Sequence, residues 1–176
     1  MFTLVVGGSA SGKSAYAESL VLQSERLPRY YIAAMQPFDD ECRARIARHR
    51  KMRADKQFQT IERYTGLSGL VLPERGDVLL ECLGNLAANE LYDPAGAGIH
   101  ALEAIVDGID ALLPQCGDLV VVSNEVCADG GGYSEETEAY RRLLAGANRA
   151  LAERADRVCE VVCALPYYYK DRGRGV

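Results

Sequence analysis

Short apolar runs recur along the chain, at residues 2–6, 29–34, 77–82, 119–123 and 157–163, and stretches of mixed character separate them. Runs of this length, bounded by turn residues and rich in Val, Leu and Ile, read as strands buried on both faces. The intervening stretches carry helical periodicity at 13–25, 38–52, 85–91, 99–113 and from Ser134 to about residue 154. Asp39, Asp40 and Glu41 open the second of these, where negative charge suits the helix dipole. Ser134 precedes Glu135, Glu136 and Thr137 as an N-cap. Residues 58–62 add a short strand. Strand and helix therefore alternate, which predicts βαβ crossovers and a mostly parallel sheet with helices on both faces. The sheet closes at 157–163, and residues 167–176 are left as a surface tail. The expected organisation is a single domain over 1–166, without internal repeats or a long linker.

Composition narrows the class. With 176 residues, 48% hydrophobic and 26% charged, the chain suits one soluble globular core, and its net charge of −5 disfavours a general nucleic-acid binder. No apolar stretch approaches the roughly 18 residues of a membrane span, so the cytoplasm is the expected location. Six cysteines lack metal-ligand spacing, and Cys82, Cys159 and Cys163 fall in apolar segments where a free thiol packs as a small hydrophobe.

The chemistry begins directly after the first strand. Gly7, Gly8, Ser9, Ala10, Ser11, Gly12, Lys13 and Ser14 match the phosphate-binding P-loop in its required strand-before, helix-after context. The glycines permit a tight turn whose N–H groups can face phosphate oxygens. Lys13 supplies charge for the β- and γ-phosphates, Ser14 a hydroxyl for Mg²⁺, and the following helix its positive dipole end. In an open α/β sheet, ligands lie beyond the carboxyl ends of strands, which also selects Ala33, Ala34, Met35, Glu81 and the pair Asn124, Glu125. A carboxylate at Glu81 suits Mg²⁺, held directly or through water. His49 lies among Arg45, Arg48, Arg50, Lys51 and Arg53. Imidazole can attack the α-phosphorus of a nucleoside triphosphate, with cations stabilising the charge that develops. Spacing alone favours a solvated basic helix face carrying an incidental histidine.

These motifs occur in an informative order: Gly-Gly-Ser-Ala-Ser-Gly-Lys-Ser, Tyr31-Ile32-Ala33-Ala34, Asp39-Asp40-Glu41 with Arg45-Ile46 and His49-Arg50, and Thr60-Ile61-Glu62. Leu80-Glu81-Cys82-Leu83 with Asn89, Ser123-Asn124-Glu125-Val126, and Gly146 with Asn148 follow. Over residues 2–165 the set resembles the bifunctional adenosylcobinamide kinase/adenosylcobinamide-phosphate guanylyltransferase family of cobalamin biosynthesis. The resemblance implies a P-loop NTPase-like three-layer α/β fold. It implies phosphorylation of adenosylcobinamide by ATP or GTP, then transfer of GMP from GTP onto the phosphate through a guanylylated histidine, matched by His49. It also implies a homotrimer, and guanine-nucleotide contacts at Ala33, Ala34, Met35, Arg50, Lys51, Met52, Arg53, Glu62 and Glu81. A carboxylate at Glu62 or Glu81 can accept from guanine N1–H and its exocyclic amine. Guanine reading and Mg²⁺ binding thus remain competing roles for Glu81.

The chain departs from that family in three places. Arg53-Ala54 and Phe58 stand where Arg-Pro and Trp are usual, Arg149 replaces a Gln, and 127–133 reads Cys-Ala-Asp-Gly-Gly-Gly-Tyr instead of a Gly-x-Gly-x-x-Pro loop. The altered loop leaves one alternative, a guanylyltransferase without the kinase step; a non-catalytic nucleotide-binding regulator is another, disfavoured because Lys13, Ser14, His49 and Glu81 are all present. An unrelated small-molecule P-loop kinase is a further one.

Overall fold

The computed structural model describes residues 1–40, 42–44, 46–47, 54–126 and 132–173. Strand β1 (Phe2–Gly7) leads into helix α1 (Lys13–Leu22), followed by β2 (Arg29–Ala33), β3 (Phe58–Glu62) and β4 (Gly76–Leu80). Helices α2 (Leu83–Tyr92) and α3 (Ala101–Leu112) precede β5 (Cys116–Asn124). The long helix α4 (Glu135–Arg154) is followed by β6 (Arg157–Val162) and β7 (Leu165–Asp171). The strands form one sheet in the order β3-β2-β4-β5-β1-β6-β7. Every pairing is parallel except β6 with β7.

The continuous apolar runs have a direct physical origin. Successive strand residues face opposite sides, and both sides of this sheet are covered. Leu4, Ile32, Leu80 and Val121 pack under α2, α3 and α4, against Leu86, Ile105 and Leu144. Val5, Tyr31, Leu79, Val120 and Val122 face the other way, against Ala17 and Val21 of α1. A polar residue on either side of the central strands would lose its water without a ready partner.

The long helix is anchored by few residues. Ser134 caps α4, its Oγ accepting from the Thr137 N–H at 3.3 Å, and Glu135, Glu136 and Glu138 place negative charge at the positive end of the dipole. Leu144, Ala147 and Leu151 are its fully buried positions, at helical spacing along one stripe. Tyr140, Leu143 and Ala152 pack against the same core as partly buried neighbours.

Three differences from the sequence reading matter. The segment from residue 167, expected as a tail, supplies most of β7: Cys159 pairs with Tyr168, and Glu160 with Tyr167. An outer strand covered on one face leaves Leu165, Tyr167 and Tyr169 exposed, so its sequence lacks a buried strand's pattern. Cys163, expected to be buried, is exposed because β6 ends at Val162 and the chain reverses there into β7. The helix expected over 38–52 begins as read, with Asp39 Oδ1 accepting from the Cys42 N–H at 2.7 Å, but much of it lies outside the described residues.

Leu144→Ala removes the central anchor of α4 and leaves a cavity against the sheet. It should lower unfolding stability by about 2–5 kcal/mol, measured by urea denaturation.

Candidate nucleotide site

Between β1 and α1 the chain turns within the five residues Gly8 to Gly12, and the turn is held from both sides. Ala10 and Gly12 adopt left-handed conformations, at φ 55° and 92°. The Ser11 N–H donates to the Gly8 carbonyl at 3.3 Å, and the Tyr16 N–H donates to Gly12 at 3.0 Å, opening the helix. Gly7 has no room for a side chain: a Cβ would sit 2.6 Å from Ser11 Oγ and 2.7 Å from the Val161 carbonyl oxygen. Lys13 Nζ folds back onto the Gly8 carbonyl at 2.9 Å. This ammonium lies where it can reach a phosphate, and burial lowers its pKa from the ordinary value while the nearby Cys82 sulfur opposes that shift. An anion in the loop would favour the charged form.

The loop faces the carboxyl ends of β4 and β5. Gly7 pairs with Asn124, and the Glu125 N–H donates to the Gly7 carbonyl at 3.2 Å, which places the end of β5 and the residue after it beside the P-loop. Behind them Ser123 Oγ contacts Asn148 Oδ1 at 2.5 Å, and Asn148 Nδ2 donates to the Asn124 carbonyl at 3.2 Å. This pair fixes the strand end to α4. Glu81, half-buried, follows β4 and donates its N–H to Ile32 at 3.2 Å. Next in the chain, Cys82 caps α2, its sulfur accepting from the Asn85 N–H at 3.4 Å. Burial pushes the Cys82 thiol upward, so it stays protonated and serves as a cap and apolar filler.

The β2 edge is more closed than its sequence suggests. Ala34 is fully buried and Met35 nearly so. The Asn89 amide donates to the Ala34 carbonyl at 2.8 Å and to the Tyr64 carbonyl at 3.0 Å, tying the ends of β2 and β3 to α2. Glu62 is exposed at the end of β3 and accepts from Tyr64 Oη at 3.0 Å. Ala33 is half-buried and pairs with Glu62. The fold thus gathers Gly7 to Ser14, Glu81 and Asn124 at one sheet end, with Ala33 and Glu62 farther along the same edge. His49, Arg50, Lys51, Met52 and Arg53 lie outside the described residues.

Sequence reasoning missed two contributors to the surroundings of the loop and the β4 and β5 ends. Tyr140 brings its hydroxyl within 2.8 Å of where a Cβ on Gly84 would lie, beside Asn124 Nδ2 at 3.1 Å from the same point. Burial raises its phenol to about 12. The other is the β6–β7 turn, whose Ala164 N–H donates to the Ser11 carbonyl at 2.8 Å. Helical spacing marks Tyr140 as a core-facing position; no local signal marks the turn.

The fold and the loop define a P-loop nucleotide-binding protein. Among solved structures, a KaiC-like protein, PH0186 from Pyrococcus horikoshii OT3, superposes with a TM-score of 0.51 at 12% identity, covering 90% of this chain and 69% of that one. The flagellar accessory protein FlaH from Methanocaldococcus jannaschii superposes at 0.50 with 10% identity, over 97% and 78%. These likenesses speak for the fold alone. The CobU family model, described as cobinamide kinase / cobinamide phosphate guanyltransferase, matches residues 3–168, and the chain belongs to that family. Relatives named bifunctional adenosylcobalamin biosynthesis protein CobU are 33% identical in Escherichia coli K12 and 35% identical in Salmonella typhimurium. Each alignment covers 94% of this chain and 97% of the relative. A relative named CobP in Pseudomonas aeruginosa is 34% identical, over 94% and 95%.

Asn89→Ala would leave the Ala34 and Tyr64 carbonyls without the amide that joins them. A loss of about 1–3 kcal/mol for each orphaned buried group is expected in thermal or urea unfolding, with m unchanged.

Proposed function

We propose that this chain phosphorylates adenosylcobinamide with a nucleoside triphosphate and then transfers GMP from GTP to the resulting phosphate, through a covalent intermediate on His49. The observation that carries the nucleotide half is the P-loop, with Lys13 at its rim and Glu81 and Asn124 at the adjoining strand ends. Family membership supports the two reactions and the corrinoid acceptor.

In the kinase step Gly7 to Ser14 hold the triphosphate, and Lys13 neutralises charge on the β- and γ-phosphates as the acceptor hydroxyl attacks phosphorus and the nucleoside diphosphate leaves. In the guanylyl step His49 attacks the α-phosphorus of GTP and pyrophosphate departs. The acceptor's phosphate oxygen then displaces histidine, giving adenosylcobinamide-GDP and returning the imidazole. Arg50, Lys51, Met52 and Arg53 follow His49 in the sequence and would contact the guanine nucleotide together with Ala33, Ala34 and Met35. Ala34 and Met35 have buried side chains, so they would contribute backbone there. Glu62, exposed at its strand end, is the better placed of the two carboxylates to read guanine N1–H and the exocyclic amine.

Mg²⁺ fits the donor set available. Ser14 in the first turn of α1 and the half-buried Glu81 are hard oxygen donors, and phosphate oxygens would complete the shell. Among the described residues no group of three or more His, Cys, Asp or Glu could hold an ion unaided. The ion would therefore arrive with the nucleotide and neutralise its phosphate charge. Among the described residues no helix is long and apolar enough to cross a membrane, and a cytoplasmic homotrimer completes the proposal.

Incubation with GTP and Mg²⁺ should add one GMP to the intact protein, mapped by mass spectrometry to His49 and absent in His49→Ala. An unlabelled wild-type protein would refute the guanylyl half. Lys13→Ala should lower kcat/KM for adenosylcobinamide phosphorylation by at least ~100-fold, followed by product chromatography. Wild-type protein that forms the GMP adduct but never adenosylcobinamide phosphate would establish the guanylyltransferase-only alternative suggested by the altered 127–133 loop.

A further inference from the structure

The P-loop touches a part of the chain about 150 residues away, and the contact is of an unusual kind. The two residues that join β6 to β7, Cys163 and Ala164, both adopt left-handed backbone conformations, at φ 50° and 63°. Neither is glycine, and each such conformation costs on the order of 1 kcal/mol. Glycine or asparagine would be the ordinary choice for a two-residue hairpin turn of this type.

The turn is packed against the middle of the phosphate loop. The Ala164 N–H donates to the Ser11 carbonyl at 2.8 Å. A Cβ on Gly12 would meet Ala164 Cα at 3.0 Å and its Cβ at 3.1 Å, so the hairpin and the loop share a surface with no room for another side chain. One turn earlier in the loop, Gly7 lies against the Val161 carbonyl. The hairpin is held in place behind the contact. Tyr168 Oη on β7 meets Tyr16 Oη on α1 at 2.5 Å, and Tyr168 packs with Cys159 and Ala17 on the α1 face of the sheet.

The direction of a bound triphosphate follows from what flanks the loop. On the β4 and β5 side lie Glu81, Cys82 and Asn124, with Asn124 paired to Gly7, and the hard oxygen donor Glu81 suits the Mg²⁺-bound phosphates that Lys13 also contacts. The phosphoryl-donating end therefore points toward β4 and β5. The nucleoside end must leave on the opposite flank, where the β6–β7 turn presents the exposed Cys163 and Leu165 side chains.

We propose that the β6–β7 turn is a working part of the triphosphate site: Ala164 positions the P-loop through its N–H, and Cys163 with Leu165 forms the wall on which the nucleoside of the P-loop nucleotide rests. The inference rests on the nucleotide-binding reading of the loop and adds residues that no P-loop motif contains. An apolar wall without a donor or acceptor contacts a base by surface alone, so it distinguishes poorly between purines.

The wild-type protein itself supplies the test. Alkylation of Cys163 by a maleimide, followed residue by residue with peptide mass spectrometry, should slow at least ~5-fold when adenylyl imidodiphosphate and Mg²⁺ saturate the protein. Inorganic triphosphate, which fills the loop without a nucleoside, should protect far less. Unchanged labelling with the analogue bound, or equal protection by inorganic triphosphate, overturns the proposal. Equilibrium dialysis run in parallel separates the two claims: no bound analogue refutes the P-loop reading, whereas bound analogue with Cys163 fully reactive refutes only the wall. Replacing Ala164 by L-lactic acid, on a synthetic 163–176 segment ligated at Cys163, deletes the N–H given to Ser11 without changing the side chain, and should raise the nucleotide KM at least ~10-fold while the KM for adenosylcobinamide stays within about twofold. A proportional fall in kcat with both KM values unchanged would reduce Ala164 to a structural role and overturn its part.

Discussion

The geometry of the whole site depends on a close-packed bend, the one that carries the chain from β1 into α1. Gly7 is pinned between Ser11 and the Val161 carbonyl, Gly12 is pressed against Ala164, and two residues of the bend take left-handed conformations. An anion-binding turn needs backbone N–H groups facing the ligand, and side chains in this space would prevent that approach. The surrounding sheet makes the bend affordable. β1 is flanked by β5 and β6, its side chains are buried on both faces, and the strand end cannot drift when the loop is empty.

The same constraint explains why polar groups appear where they do. Parallel strands buried on both faces have no solvent, so functional side chains emerge only past the last apolar residue, as Glu81 and Asn124 do. Behind them the polar residues are paired: Ser123 with Asn148, and Asn89 with two backbone carbonyls. These contacts lock strand ends to helices α2 and α4, so the site sits on rigid elements. The exposed parts include Glu62 and the β6–β7 turn.

Much of the fold was legible because burial on two faces writes itself into composition. Leu4-Val5 and Leu79-Leu80 each send one residue to each side, and no other pattern explains uninterrupted apolar pairs in such short segments. Ser134 was readable as a cap because the need for an acceptor at a helix start is local. The edge strand was not. β7 is covered on one face and exposes Tyr167 and Tyr169 on the other, and its partner β6 lies across a turn made of Cys and Ala, residues with no turn preference. Cys163 looked like core for the same reason.

The sequence by itself determined the parallel α/β architecture, the phosphate loop and the family, because each depends on residue types at fixed local spacing. Only the tertiary structure decided what stands around the loop. It set Lys13 beside Cys82, closed Ala34 and Met35 away from solvent, brought Tyr140 to Gly84, and laid Ala164 against Gly12. Such contacts join segments up to about 150 residues apart, and their identity is fixed by strand order and register, which no local pattern encodes.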